Sequence, residues 1–257
     1  MPPREKPAEM DALRADHTQA AVAKRVAEEP GQSFLRDFVY GAIDGCVTTF
    51  AIAAGAVGAG LSNGVVIVLG LANVLADGFS MAVGNYLGTK ADRQLLDRAR
   101  RIEEQHVAAI PEGETREVRE IFRQKGFDGP LLNEVVDVIT ADRKIWVETM
   151  LREEWGLSLA QRSPWKAALV TFGAFLTVGA IPLSPFVIYY LIGVGQSQAF
   201  VHSVIVTAAT FFGIGALKSR YVAEHWFRAG SETLLIGGGA AALAYFVGMF
   251  LGGLAQG

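Results

Sequence analysis

Four long apolar stretches alternate with polar segments along this chain. Residues 38–60, 64–88 and 233–255 each approach the roughly 20 apolar residues that cross about 30 Å of hydrocarbon. The fourth stretch, 167–217, contains no Lys, Arg, Asp or Glu and is long enough for two crossings, which its glycines predict to be joined by a turn near 193–198. The pattern predicts an all-α membrane protein with five transmembrane helices.

The basic residues predict how these helices are oriented. All 23 Lys and Arg residues fall within three segments, 1–36, 90–166 and 218–228. Because Lys and Arg are retained on the cytoplasmic side of a membrane, we expect these segments to face the cytoplasm. With an odd number of spans, the N-terminus is then cytoplasmic and the C-terminus lies outside.

The polar segment between the second and third spans predicts a cytoplasmic helical domain. Apolar positions continue at helical spacing beyond the second span, so its helix is expected to extend into the cytoplasm; these positions are Leu95, Leu96, Ala99 and Ile102. After a turn at Pro111 and Gly113, a second helix is expected at 114–125 and a third at 131–156. We therefore predict a three-helix cytoplasmic domain formed by an extension of the second span.

These elements divide the chain into four parts. The first part is polar, and we expect it to contain one short helix over 8–29. The parts are the N-terminal extension 1–33, spans one and two in 34–88, the cytoplasmic helical domain 89–163, and spans three to five in 164–257.

Composition and charge limit the partners of the protein. The chain is 51% hydrophobic and 19% charged, which fits a lipid-embedded bundle that carries a polar domain. Its net charge of −3 is small and its basic residues follow the predicted topology, so no nucleic-acid partner is expected. The single cysteine, Cys46, cannot form an internal disulfide.

Two aspartates inside the predicted spans are the first candidates for function. An aspartate near mid-bilayer costs roughly 2.5–3.5 kcal/mol, so Asp44 and Asp77 are expected to face a protein interior or a water-filled path. On the second span, Asn73, Asp77, Met81 and Asn85 recur every four residues and share one helix face. If Asp44 faces this stripe, repulsion between the carboxylates favours a bound cation or proton. The same residues are also compatible with interhelical hydrogen bonds and a protonated aspartate.

The predicted cytoplasmic domain carries a second group of potential ligands. Three pairs of side chains lie three or four residues apart and so share helix faces; they are Glu103 with His106, Glu114 with Glu117, and Met150 with Glu154. If these faces converge, carboxylate, imidazole and thioether atoms form a site that suits a transition-metal ion such as Fe²⁺. Solvated surface charges show the same spacing, so both interpretations stay open.

Two motifs connect these residues to a known family. The chain reads RDFVYGAIDG from Arg36 to Gly45 and ADGFSMAVGNY from Ala76 to Tyr86. Both motifs resemble the vacuolar iron transporter family, and the likeness extends from about residue 34 to the C-terminus. The resemblance implies a five-helix protomer, a homodimer with its pore between the subunits, and a cytoplasmic metal-binding domain.

The resemblance also implies roles for single residues. Asp44 and Met81 match transport-path residues of the family, and the matching ligands of the cytoplasmic domain are Glu103, Glu114, Glu117, Met150 and Glu154. Three positions depart from the family pattern. His106 stands where the family typically has Glu, and Asn85 replaces the Glu that usually precedes the family's Tyr, here Tyr86. Asp77 stands where the family often has a small residue. These departures affect the expected ion preference and proton coupling.

The resemblance therefore implies proton-coupled export of Fe²⁺ from the cytosol, with Mn²⁺ as a second candidate ion. The expected partners are divalent metal ions, protons, the lipid bilayer and a second copy of the chain. Neither an organic cofactor nor an enzymatic activity is expected. A bacterial inner membrane is the expected location, in preference to a vacuolar membrane.

Two other interpretations remain open on the sequence. Clustered Glu and His residues also build di-iron sites, which predicts a membrane-anchored ferroxidase or a metal-storage protein. Such sites usually contain two Glu-x-x-His pairs, and in this chain only Glu103 and His106 have that form among the candidate ligands. The third interpretation is a transporter of an unrelated cation or small solute.

Overall fold

The computed structural model describes residues 7–27, 33–193, 195–222 and 224–255, and every regular element in these ranges is an α-helix. This confirms the predicted all-α fold class. In chain order the helices are α1 (Pro7–Asp16), α2 (Gln19–Ala27), α3 (Leu35–Gly58), α4 (Asn63–Ala109), α5 (Pro111–Gln124), α6 (Gly129–Ala141), α7 (Arg143–Glu153), α8 (Pro164–Gly179), α9 (Ser184–Ile192), α10 (Gln196–Val222) and α11 (Trp226–Ala255).

The described residues contain four single helices that are long and apolar enough to cross a membrane, namely α3, α4, α10 and α11. The pair α8 and α9, which is bent by 44° at its break, is long and apolar enough when taken together and is the candidate for a fifth span. Pro182 lies in this break and Pro185 follows it; because proline has no amide hydrogen, the helix cannot continue straight through. The turn predicted near 193–198 falls between α9 and α10.

Helix α3 lies at the centre of the bundle and packs against α4, α8, α10 and α11. Two glycines on α3 allow α8 to approach closely. A side chain at Gly45 would place its Cβ only 2.7 Å from the carbonyl oxygen of Phe175, and Gly41 meets the backbone of the same helix. These small residues serve packing within one chain, and they bring α8 beside the segment of α3 that contains Asp37 and Asp44.

The helical domain of residues 89–163, called the polar domain below, forms around the end of α4, which continues without a break to Ala109. Helices α5 and α7 pack against this extension, and α6 packs against α5 and α7. Buried members of the shared apolar core include Leu96, Val118, Leu132, Ile139, Trp146, Met150 and Leu151. This core fixes the positions of the polar side chains on the α4 extension and on α5.

The helix predicted over 131–156 is wrong, because the structure contains two helices there, α6 and α7. The polar domain therefore combines the α4 extension with three short helices, and the predicted three-helix domain lacks one element. Asp142 marks the division. Its carboxylate accepts hydrogen bonds from the amides of Lys144 at 2.8 Å and Ile145 at 3.1 Å, which starts a new helix.

The single N-terminal helix predicted over 8–29 is also divided, into α1 and α2. The hydroxyl of Thr18 accepts a hydrogen bond from the amide of Ala21 at 3.4 Å, as expected of a residue that caps the start of α2. The predicted end of this helix, 28–29, lies outside the described residues.

Candidate functional site

Three potential metal ligands meet where α4 turns into α5. Glu103 and His106 lie about one turn apart near the end of α4, and Glu114 lies in the first turn of α5. A single residue separates the two helices, and Pro111 begins α5 at a position where its missing amide hydrogen costs nothing. This sharp turn brings one ligand atom of each side chain within 4.8 Å of the other two.

Both carboxylates of this cluster are buried, since Glu103 and Glu114 expose only 1% of their surface. Oε1 of Glu103 accepts a hydrogen bond from Nε1 of Trp155 at 2.8 Å, and Oε1 of Glu114 lies 3.3 Å from Nδ1 of His106. The other oxygen of each carboxylate, Oε2, has no hydrogen-bond partner in the described part of the chain. A buried polar atom without a partner is costly, and a bound cation would satisfy both oxygens.

Burial and neighbouring charges change the protonation of two acidic groups at the cluster, Glu114 and Glu154. Burial, and then the charges of Glu117, Glu103 and Glu154, raise the pKa of Glu114 to about 7, while His106 acts in the opposite direction. Partial desolvation, followed by the charges of Glu103 and Glu117, likewise raises the pKa of Glu154. Glu117 and Glu154 lie at the exposed edge of the cluster and interact electrostatically with its buried members.

Met150, another predicted ligand, is fully buried in the apolar core of the polar domain. It lies one helical turn before Glu154, whose amide donates a hydrogen bond to the carbonyl of Met150 at 2.9 Å. Its side chain therefore packs within the domain. The six predicted ligands accordingly form three groups: a central trio, two carboxylates at the edge, and one thioether in the core.

The central trio offers two carboxylates and an imidazole, a donor set that suits borderline divalent ions such as Fe²⁺ and Mn²⁺. Each ligand must be deprotonated before it binds a metal ion. A cation that enters the cluster therefore displaces the proton of Glu114. The arrangement can hold a divalent cation and exchange it for protons near neutral pH.

A groove of about 500 Å³ follows the α4 face that carries the predicted path residues. Asp77, Met81 and Asn85 line it, together with Tyr40 of α3. Asp44 lines a neighbouring cavity of about 540 Å³, which shares Arg36 and Tyr40 with the groove. Asp77 is close enough to Asp44 for the two carboxylates to repel each other.

The two asparagines of the α4 stripe form hydrogen bonds between helices. Asn73 donates to the hydroxyl of Thr48 on α3 at 3.3 Å and is not among the residues that line the groove. Asn85 donates to Oδ1 of Asp37 at 2.9 Å and to the hydroxyl of Thr171 on α8 at 2.7 Å. Both asparagines therefore contribute to helix packing, and Asn85 also lines the groove.

The sequence did not single out Asp37, a buried acidic residue that exposes only 4% of its surface. Asp37 forms an ion pair with Arg162, which precedes α8 and also lines the groove. No spacing rule links two residues that lie 125 positions apart in the chain. The available signal was that Asp37 is one of three acidic residues between Arg36 and Lys90, a stretch without other charges.

The candidate spans, together with a polar domain in which two buried carboxylates meet an exposed imidazole, define a multi-pass integral membrane protein with a candidate divalent-metal site. The model of the VIT family matches residues 35–249. The chain belongs to this family.

Named relatives are similar to most of the chain. A vacuolar iron transporter from Toxoplasma gondii is 35% identical over 224 residues, which cover 85% of this chain and 74% of the relative. Vacuolar iron transporter 1 from Arabidopsis thaliana is 32% identical, with 82% and 83% covered. A vacuolar iron transporter from Plasmodium berghei is 28% identical, with 84% and 82% covered. The first two relatives and the family match show membership of a family of transporters.

Proposed function

We propose that this protein is a proton-coupled transporter that moves Fe²⁺ out of the cytosol, with Mn²⁺ as a second substrate. The observation that carries the proposal is the pair of buried carboxylate oxygens of Glu103 and Glu114 beside His106, which have no hydrogen-bond partner among the described residues. The names of the relatives supply the substrate class. The apolar helices, which are long enough to cross a membrane, support transport across it.

The ion binds first at the polar domain, where the central trio holds it. The further ligands of this site are Glu117, Met150 and Glu154. The ion then passes to the groove on α4 and to the neighbouring cavity, whose potential ligands are Asp77, Met81, Asn85 and Asp44. Protons that enter from the opposite side displace it, because the same carboxylates bind either a cation or protons.

A second copy of the chain completes the path. Helix α4 exposes a row of large apolar side chains next to its polar groove; they include Val68, Leu75, Phe79, Val83 and Leu87. In a single chain the groove that contains Asp77 would open toward lipid, where a charged side chain is costly. Two chains that pair through α3 and α4 enclose the carboxylates in protein, which supports a homodimer with a pore between its subunits.

The distribution of Lys and Arg supports a cytoplasmic N-terminus, a cytoplasmic polar domain and a C-terminus outside. In this orientation the metal cluster faces the cytosol, where it gathers the ion before export. A bacterial inner membrane is the location that we propose. The transport route itself uses the side chains of the chain and requires no organic cofactor.

Metal flux in proteoliposomes tests this function. Vesicles with reconstituted protein and an acidic interior receive Fe²⁺ under reducing conditions, and dyes inside report metal and pH. We expect Fe²⁺ to accumulate while the interior becomes more alkaline, and protein-free vesicles serve as the control. Rapid oxygen consumption with Fe²⁺ and no metal flux would contradict transport and favour a ferroxidase. Metal entry without proton movement would contradict the coupling.

A further inference from the structure

His106 differs from the other two members of the central trio in its donor atom and in its exposure. It offers an imidazole nitrogen, whereas Glu103 and Glu114 offer carboxylate oxygens. Its side chain exposes 50% of its surface, while both glutamates are buried. An ion that arrives from solvent therefore meets the imidazole before it reaches the carboxylates. A third carboxylate would also bind a cation at this place, so the presence of an imidazole needs its own explanation.

The imidazole lies at a distance from Glu114 that fits two ligands of one ion. Nδ1 of His106 is 3.3 Å from Oε1 of Glu114. Two ligand atoms that are each about 2.1 Å from the same ion lie roughly 3.0–3.4 Å apart in octahedral and tetrahedral sites. The Oε2 atoms of Glu103 and Glu114 are buried and have no hydrogen-bond partner in the described part of the chain. Nδ1 is therefore placed to share an ion with the two carboxylates.

The type of donor atom decides which divalent ion such a site prefers. Imidazole nitrogen suits Fe²⁺ and Zn²⁺, whereas sites made only of oxygen atoms suit Mg²⁺, Ca²⁺ and Mn²⁺. Affinity for first-row ions rises from Mn²⁺ through Fe²⁺ to Co²⁺, and a nitrogen ligand enlarges these differences. Two carboxylates and one imidazole therefore separate Fe²⁺ from Mn²⁺ and Mg²⁺ better than three carboxylates would.

The remaining predicted ligands of the polar domain do not replace His106 in this respect. Glu117 and Glu154 lie at the exposed edge and offer further carboxylate oxygens. Met150 offers a soft thioether, but its side chain is fully buried in the apolar core. His106 is thus the one predicted ligand that brings a nitrogen atom to the two buried carboxylates.

We propose that His106 sets the ion selectivity of the central trio, in favour of Fe²⁺ over Mn²⁺ and Mg²⁺. Nδ1 of His106 is a direct ligand of the ion, and Glu103 and Glu114 supply the negative charge that a divalent cation balances. This inference rests on the proposed function, because it concerns the ion that the central trio holds. It adds the single side chain that separates the favoured ion from its competitors.

Competition between Co²⁺ and Mn²⁺ for the full chain in detergent tests the proposal. Co²⁺ replaces Fe²⁺ because it resists oxidation by air and follows Fe²⁺ in the same order of affinities. In a W165F/W226F background the two remaining tryptophans, Trp146 and Trp155, both belong to the polar domain. Co²⁺ at the trio should quench Trp155, whose indole contacts Glu103. Mn²⁺ or Mg²⁺ that displaces Co²⁺ should restore the fluorescence, which gives the ratio of affinities at a single, mildly alkaline pH.

Substitutions at His106 separate the effect of the donor atom from the effect of charge. H106N places an amide oxygen near the position of Nδ1 and adds no charge, whereas H106E adds a third carboxylate. We expect the preference for Co²⁺ over Mn²⁺ to fall about tenfold in both variants, because oxygen ligands alone distinguish these ions poorly. H106C supplies a soft ligand and should keep the preference of the wild type. If the added charge prevents H106E from folding, H106N and H106C decide the outcome.

The matched control is H17N, which changes an exposed histidine between α1 and α2 and should leave both affinities unchanged. An equal preference for Co²⁺ over Mn²⁺ in the wild type, H106N and H106E would overturn the proposal and show that Nδ1 only forms a hydrogen bond with Glu114. The metal site itself would then stand. Wild-type protein that binds Mg²⁺ as tightly as Co²⁺ would also overturn the proposed selectivity. Absence of quenching by Co²⁺ in the wild type would overturn this inference together with the metal site of the proposed function.

Discussion

At the scale of single residues, Glu114 shows how burial and neighbouring charges change the protonation of a candidate metal ligand. Its pKa of about 7 lies well above the usual value of 4.5 because the side chain is buried among other carboxylates. The folded protein therefore holds this proton to a higher pH than the unfolded chain does. The resulting contribution to stability is complete below about pH 4.5 and is lost as the pH rises through about 7. Above that pH a bound cation can compensate the buried charge.

The first prediction concerns the pH dependence of metal binding. We expect affinity for Mn²⁺, measured by isothermal titration calorimetry, to rise about fivefold between pH 6 and pH 7 and about twofold more above pH 7, because Glu114, with its pKa of about 7, must lose its proton. The variant E114Q should bind more weakly and lose much of this step. E112Q removes an exposed carboxyl from the same helical turn and is the matched control. An unchanged pH step in E114Q would contradict the assignment.

The second prediction concerns Trp155, whose indole donates a hydrogen bond to Oε1 of Glu103. W155F keeps an aromatic ring and removes the donor, so Glu103 loses the group that orients it. Loss of such an orienting partner typically costs tenfold or more in metal affinity, and we expect about tenfold in a Mn²⁺ titration. W146F is the control, because Nε1 of Trp146 is buried without a partner among the described residues. Equal losses in both variants would point to a packing effect.

At the scale of helices, side-chain caps and ion pairs decide where elements begin and which elements join. Asp142 and Asp128 stand at equivalent positions, before α7 and α6 respectively. Only Asp142 accepts hydrogen bonds from the first amides of its helix, whereas Asp128 makes no side-chain cap. The side chain of Asp142 therefore stabilises the start of α7, whereas Asp128 gives the start of α6 no such hydrogen bond.

The third prediction follows from this difference. D142A should destabilise the start of α7 by about 1 kcal/mol, because the amides of Lys144 and Ile145 lose their acceptor. Hydrogen exchange followed by mass spectrometry should show faster exchange in the first turn of α7. D128A is the matched control and should change exchange in α6 very little. Equally faster hydrogen exchange in α6 of D128A and in α7 of D142A would contradict the stabilising role of the Asp142 cap.

The fourth prediction concerns the ion pair that fastens the end of the polar domain to α3. R162M leaves the carboxylate of Asp37 buried without its cation, which should cost about 3 kcal/mol in thermal or denaturant unfolding. The double variant D37N/R162M removes the stranded charge and should recover part of this loss. R123M breaks an exposed pair with Glu120, which solvent screens, and should change the stability far less than R162M does. A double variant no more stable than R162M would contradict the stranded-charge explanation.

At the scale of the whole molecule, two acidic side chains within the spans need a cation, protons or a second chain beside them. Asp44 and Asp77 lie on α3 and α4, which pack against each other, and the grooves that they line are open in the single chain. Burial of these grooves at a subunit interface would remove both the exposed apolar row of α4 and the lipid contact of the carboxylates. The transport route and the dimer that we propose therefore involve the same helices.

The fifth prediction tests the intramembrane carboxylates directly. D44N keeps the size of the side chain and removes its charge, so Fe²⁺ uptake by proteoliposomes should fall at least a hundredfold while the elution volume of the protein stays unchanged. D137N, which removes an exposed carboxylate from the polar domain, is the control and should transport normally. Undiminished uptake by D44N would exclude Asp44 as an essential ligand.

The sequence predicted the spans better than the divisions between helices. Long apolar stretches marked α3, α4, α10 and α11, because the ability to cross lipid depends on local hydrophobicity alone. The division at Asp142 was missed, since an apolar stripe at helical spacing continues on both sides of it and the cap is a single hydrogen-bonding group. Glu103, His106 and Glu114 were identified by spacing, whereas Trp155 was not, because nothing near it in the chain predicts its contact with Glu103.

The sequence by itself determined that this protein is an all-helical membrane bundle with a polar domain after its second span, because these properties follow from hydrophobicity and helical period along the chain. Only the tertiary structure decided which polar atoms meet. The turn at Pro111 sets Glu114 against Glu103 and His106, and the close approach of α3 and α8 places Asp37 beside Arg162 and Asn85. Such contacts join residues from distant parts of the chain, so their geometry depends on packing that a one-dimensional pattern does not contain.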